Sequence, residues 1–148
     1  GFTKRIGCYF FQSYTSKHRE MGPDLIRSRF GDFAGYEISF NTIHIDDFSR
    51  ELTLSIGLSF SRESLRSWSG WADVPCKLVV ASNNGEFGED TSFRFYVPRV
   101  DEIYIDYSDI SGFEEAIIVV DALPGSDWNL LNLDRVRNLM TPLNERDV

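Results

Sequence analysis

The stretch Glu51-Leu52-Thr53-Leu54-Ser55-Ile56-Gly57-Leu58-Ser59-Phe60-Ser61 carries the strongest periodic signal in the chain. Leu52, Leu54, Ile56, Leu58 and Phe60 share one parity, while Thr53, Ser55, Gly57 and Ser59 share the other. A strand turns successive side chains to opposite faces, so this alternation predicts a half-buried antiparallel strand. Just before it, Tyr36, Ile38 and Phe40 have one parity and Ile43 and Ile45 the opposite. A register change of one residue near Asn41-Thr42 predicts a β-bulge. The five residues 46–50 between these runs suit a hairpin loop.

Working outward, residues 77–82 and 91–97 flank an Asn- and Gly-rich turn at 83–90, which predicts a second hairpin. Phe93, Phe95 and Val97 share a face, and Pro98 ends the run because it has no N–H to donate. Residues 102–107 alternate, with Ile103, Ile105 and Tyr107 inward. Residues 116–123 are apolar on both parities, as in a central strand covered on two sides. With 6–14 at the start, about seven strands are expected. Helix is minor: 23–30, with Pro23 in its first turn and Gly31 as its stop, and a segment near the C-terminus. There Leu133, Val136, Leu139, Met140 and Leu143 recur at helical spacing, with Asp127 or Asn132 as cap and Pro142 as limit. The expected fold is therefore mainly β, an antiparallel sandwich or distorted barrel with one or two short helices. It forms a single domain over 1–148.

Composition agrees with a folded domain, since 42% apolar and 14% aromatic residues exclude the disordered class. No run approaches a transmembrane span, so a soluble protein is expected, with the cytoplasm favoured. Gly1 stands where an initiator Met is absent, which predicts a processed or trimmed chain. Cys8 and Cys76 each adjoin an apolar run and are expected as free buried thiols, although one bond between them is compatible with the sequence.

The formal charge is −8, but it is uneven. Residues 1–72 hold 9 basic and 8 acidic side chains, net +1, whereas 73–148 hold 6 and 15, net −9. Residues 101–127 contain eight acids and no Lys or Arg, and the first thirty residues are net +4. Nucleic-acid binding needs cations to displace condensed counterions, so the C-terminal half is excluded as such a surface. The acidic stretch is either a solvated face or a patch that meets a basic partner. Tyrosine and arginine nearby favour the second reading, because such anchors are enriched at interfaces.

Sites with chemistry of their own are sparse. The chain has no H-E-x-x-H, C-x-x-C, G-x-S-x-G, Walker loop or G-x-G-x-x-G. His44 shares a strand face with Asp46 and would be an oriented base, but no nucleophile accompanies it, and His18 reads as loop. Asn83, Asn84, Glu86, Glu89 and Asp90, or Asp46-Asp47 with Asp106 and Asp109, offer hard oxygens without matching a regular calcium loop. Trp68 and Trp71, in the non-strand stretch 62–74, either cap the core or stack on a sugar or partner.

The expected function is a non-enzymatic protein-binding domain that takes a basic protein or a second copy of itself, with no cofactor and no metal. Its contact residues would be Arg94, Tyr96, Glu102, Tyr104, Asp106 and Asp109, with Trp68 and Trp71. An inhibitor or immunity-type protein and a viral or phage accessory or assembly protein fit this form. The rival readings are a carbohydrate-binding module using the Trp68/Trp71 loop and a hydrolase using His44.

Overall fold

The computed structural model describes residues 1–13, 21–85, 88–102 and 115–124. Among them run β1 (Phe2–Arg5), β2 (Cys8–Phe11), α1 (Pro23–Phe30), α2 (Phe33–Asn41), β3 (Ile43–His44), α3 (Thr53–Trp71), β4 (Cys76–Gly85), β5 (Gly88–Tyr96) and β6 (Ala116–Ala122), with a 3₁₀ turn at Ile45–Asp47. The strands form two small antiparallel sheets, β1-β2 and β3-β5-β4-β6. No closed barrel forms among the described residues. The fold is mixed α/β rather than a seven-strand sandwich, and three helices supply the layers that pack the sheets.

The decisive correction is at 51–61, which is not a strand: Glu51 and Leu52 lead into the 19-residue α3, and 53–61 form its first half. At about 100° per residue, Thr53, Leu54, Gly57, Leu58, Ser61, Ser64, Leu65 and Trp68 fall within an arc of roughly 140°. Thr53, Gly57, Ser61, Ser64, Leu65 and Trp68 are buried. The inward face thus begins with small residues, while Leu52 and Ile56, which the alternation places in the core, are 66% and 39% exposed. Small side chains let the helix approach the sheet closely. A Cβ on Gly57 would stand 3.1 Å from Thr91 Cγ2 and 3.6 Å from Val80 Cγ1. Thr53 and Thr91 share a hydroxyl hydrogen bond of 2.9 Å, and Ser61 Oγ donates to the Gly57 carbonyl.

The second correction is at 33–41. These residues form α2, so the parity change near Asn41-Thr42 marks a helix giving way to the two-residue strand β3, not a β-bulge. Asp32 caps α2 by accepting from Gly35 N at 2.6 Å. Gly35 is required there, because an added Cβ would lie 2.4 Å from the Phe30 carbonyl oxygen. α2 looked alternating because it is covered on more than one side. Ala34 and Ile38 pack with Val79 and Tyr96 against the sheet. Tyr36 packs with Cys8, Phe10 and Ile26 toward β2 and α1.

Elsewhere the expected elements are present. α1 occupies Pro23–Phe30 and stops at Gly31, whose φ of 84° suits glycine and whose N–H bonds the Arg27 carbonyl. β4 and β5 form the second hairpin, with Phe93, Phe95 and Val97 facing the main core. β6 is covered on both faces, Ile118 and Val120 on the α3 side and Ile117 and Val119 on the α2 side. It is nonetheless an edge among the described strands rather than a central one. The N-terminal strand is a hairpin, turned at Ile6 and Gly7 with φ of 52° and 76°. Apart from Glu102, the expected strand at 102–107 lies outside the described residues, as does the C-terminal helix.

The main core is aromatic. Phe2 meets Trp68 edge-on at 5.0 Å and Phe95 at 5.3 Å, Phe11 meets Phe95 at 4.8 Å, and Phe60 meets Phe93 at 4.9 Å. Such offset and edge contacts suit the ring quadrupole. Trp68 is 2% exposed and gives its Nε1–H to the Val74 carbonyl at 2.9 Å, so both its apolar body and its polar tip are satisfied.

Candidate functional site

Three sets of side chains stand out by environment: a buried polar clamp, an exposed apolar rim and a cluster of possible metal ligands. The clamp comes from α2, where Glu37 and Asn41 lie one turn apart and face the gap between β2 and the far end of β5. β3 pairs only with Ser92 and Phe93, so the β5 edge beyond them needs other partners. Glu37 accepts from Tyr9 N at 2.9 Å and Val97 N at 2.7 Å. Asn41 accepts from Phe11 N at 3.2 Å and donates to the Tyr9 carbonyl at 2.8 Å and, at 3.4 Å, to that of Phe95. Two helix side chains thereby stand in for a missing strand ladder and join the sheets. Arg99 closes the clamp. Its guanidinium donates to Glu37 at 2.7 and 3.3 Å, to the Val97 and Gly7 carbonyls, and to Glu102, and lies over the Phe33 ring. Burial pushes the Glu37 carboxyl up, while Arg99 and the Val97 and Tyr9 N–H groups pull it back. Every group here is satisfied within the fold, so the clamp is structural.

The rim surrounds a groove of about 1090 Å³ between the β1–β2 hairpin and α3. Phe2, Phe11, Ile43, Ile45, Ile56 and Phe60 give it apolar walls, Phe48 stands at its edge, and Glu63, Ser64 and Ser67 are polar members of the lining. Phe48 is 75% exposed. Leu52 is exposed too, and its φ of 56° puts a branched residue in the left-handed region as α3 begins, without a side-chain cap. Asp46, Asp47, Glu51 and Glu63 are exposed along the same 45–63 segment.

The third set lies where β3 meets β5. His44 is exposed, as are Asp46 and Asp90, and one ligand atom from each lies within 4.8 Å of the others. Partial burial pushes the Asp90 carboxyl up, reinforced by a hydrogen bond and repulsion from Asp46, with His44 acting in the opposite direction.

The contact residues expected from sequence are dispersed. Trp68 is core, and Trp71, 45% exposed, packs on Phe2 at 5.8 Å and Tyr9 at 6.1 Å. Tyr96 is 2% exposed beneath α2, and Arg94 is half-buried on β5. Glu102 accepts from Phe33 N at 3.3 Å and Ala34 N at 2.9 Å, placing its charge at the amino end of α2 where the helix dipole favours an anion. Tyr104, Asp106 and Asp109 lie outside the described residues. His44 does not line the groove, although its neighbours Ile43 and Ile45 do. Both cysteines are free and buried, and burial pushes each thiol up to about 12. Sequence reasoning missed Phe48, Glu37, Asn41 and Arg99. The available signal was the helical series Leu54, Leu58, Ser61, Leu65, Trp68, which would have turned Ile56 outward.

No helix among the described residues is long and apolar enough to cross a membrane. No solved structure matches the chain. Among curated proteins it is similar to Uncharacterized protein PM0498 of Pasteurella multocida (strain Pm70), with 29% identity over 121 residues that cover 80% of this chain and 77% of that protein. The match to a family model is broader still, spanning residues 1–134, and on that extent the chain belongs to the Uncharacterized protein PM0498 family.

Proposed function

We propose that this chain is a non-enzymatic protein-binding domain whose contact surface comprises Phe48 and Ile56, which line the groove, and the exposed Leu52 between them in sequence. The observation that carries the reading is the 75% exposure of Phe48 beside an apolar groove, whereas the other described phenylalanines are buried or half-buried. Isolated apolar side chains on a surface are ordinary, but several together at a concave site mark a contact. The acids at 46, 47 and 51 favour a partner segment with an apolar anchor flanked by Lys or Arg, whereas Glu63 is ion-paired with Arg62 and Arg66. The proposed contact therefore moves from the Tyr96 and Trp68 positions, which are buried, to the start of α3.

The test begins with capture of the partner from the native source and its identification by mass, and continues with purified components. Phe48→Ala should weaken binding by about 2 kcal/mol, roughly 30-fold, as expected of a central aromatic anchor. Replacing Asp46 and Asp47 by Lys should slow association and flatten its dependence on salt. An affinity unchanged by Phe48→Ala and Leu52→Ala would remove this surface from consideration. The mass of the free protein in solution separates a foreign partner from self-association.

A further inference from the structure

We propose that His44, Asp46 and Asp90 form a binding site for one divalent cation of borderline character, of the Zn²⁺ class. The pairing His44↔Ser92 fixes the register of β3 on β5. Asp90 lies two residues before Ser92 on β5 and so shares its side of the strand, and the 3₁₀ turn at Ile45–Asp47 that follows β3 brings Asp46 beside both. The sheet framework brings the ligands together from two elements far apart in sequence, and their ligand atoms already lie within 4.8 Å of one another. Ligands held at about 2.0–2.2 Å from one Zn²⁺ stand roughly 3.3–3.6 Å apart in tetrahedral geometry, so closure needs only side-chain adjustment.

The donor set decides the ion. Imidazole suits Zn²⁺ and its neighbours, whereas a site for Ca²⁺ would use oxygen throughout and more of it. Among the described residues neither Asp46 nor Asp90 has a Lys or Arg partner at ion-pair distance, so the two adjacent carboxylates have only the His44 imidazole as a basic neighbour. A cation would relieve this repulsion, and three protein ligands leave a fourth position open to water or to another molecule.

The experiment is calorimetric titration of the tag-free full chain with ZnCl₂, and separately with CaCl₂. One Zn²⁺ per chain is expected. Affinity should fall at least about 10-fold in each of His44→Ala, Asp46→Asn and Asp90→Asn, since even the supporting groups of metal ligands are worth that much. His18→Ala should leave it unchanged. Because the three positions are exposed, circular dichroism should show each variant folded, and the visible spectrum of added Co²⁺ should lose intensity in His44→Ala. Absence of Zn²⁺ binding at millimolar concentration, or binding that survives His44→Ala, would overturn the site. Ca²⁺ binding as tight as Zn²⁺ would overturn it equally.

Discussion

The clamp and the rim invert the usual environments of their residues. At the clamp a carboxylate with 0% exposure and an amide sit inside, closed by a half-buried guanidinium. At the rim Phe48 and Leu52 face water. The difference between them lies in satisfaction. Glu37, Asn41 and Arg99 bond to seven backbone groups of the hairpin, of β5 and of Val97 just beyond it, and the desolvation that burial imposes is offset there. The rim side chains have no such completion within the described fold. Polar groups buried in this way hold a structure together, whereas the exposed apolar groups form the contact surface proposed above.

Removing a clamp carboxylate should give the largest effect. Glu37→Ala leaves Arg99 without its main counter-charge and two backbone N–H groups without acceptors. A loss of about 3–5 kcal/mol in urea denaturation is expected, with Glu37→Gln recovering part of it. A cost below 1 kcal/mol would mean that the clamp is incidental. Next comes the inward side of α3. Gly57→Ala should cost about 1–3 kcal/mol, because the new methyl meets Thr91 across a helix–sheet contact that cannot widen freely.

The two left-handed non-glycine residues sharpen the contrast, as one adjoins each region. Ile6 precedes Gly7, whose carbonyl Arg99 holds, and Leu52 opens the rim. Asn adopts this conformation more readily than a branched apolar residue, so Ile6→Asn and Leu52→Asn should each stabilise by about 1 kcal/mol in thermal unfolding. Only Leu52→Asn should also weaken the partner. Smallest in the free protein is Phe48→Ser, expected within about 0.5 kcal/mol of the parent although it removes the largest exposed ring of the rim. The core gives a kinetic counterpart. Cys8 and Cys76, 0% and 2% exposed with thiols pushed up to about 12, should react with a disulfide reagent only after denaturant opens the fold. Fast modification at neutral pH would show that these layers open locally.

Local signals were legible where local chemistry is decisive. Pro23 and Gly31 bound α1 because proline presets φ and glycine accepts the positive φ of the stop. The β4–β5 hairpin and β6 were legible from their runs of Val, Ile and Phe, since these residues face cores on either side of one sheet. The misreading of 51–61 has a definite cause. Alternation measures which residues are apolar, but α3 packs by the residues small enough to let it near the sheet, and its outward side keeps Leu52 and Ile56. α2 misled for a related reason: helices covered on several sides lose a single apolar stripe.

What the sequence by itself determined is an acidic domain with an apolar, aromatic-rich interior, one well-bounded helix and one hairpin, because composition, proline, glycine and strand runs act over a few residues. What only the tertiary structure decided is where the special groups meet. Glu37 reaches Val97 across 60 positions, and His44 and Asp46 approach Asp90 through the pairing of β3 with β5. Those meetings depend on register and layer order, and only packing of the helices on the sheets sets either.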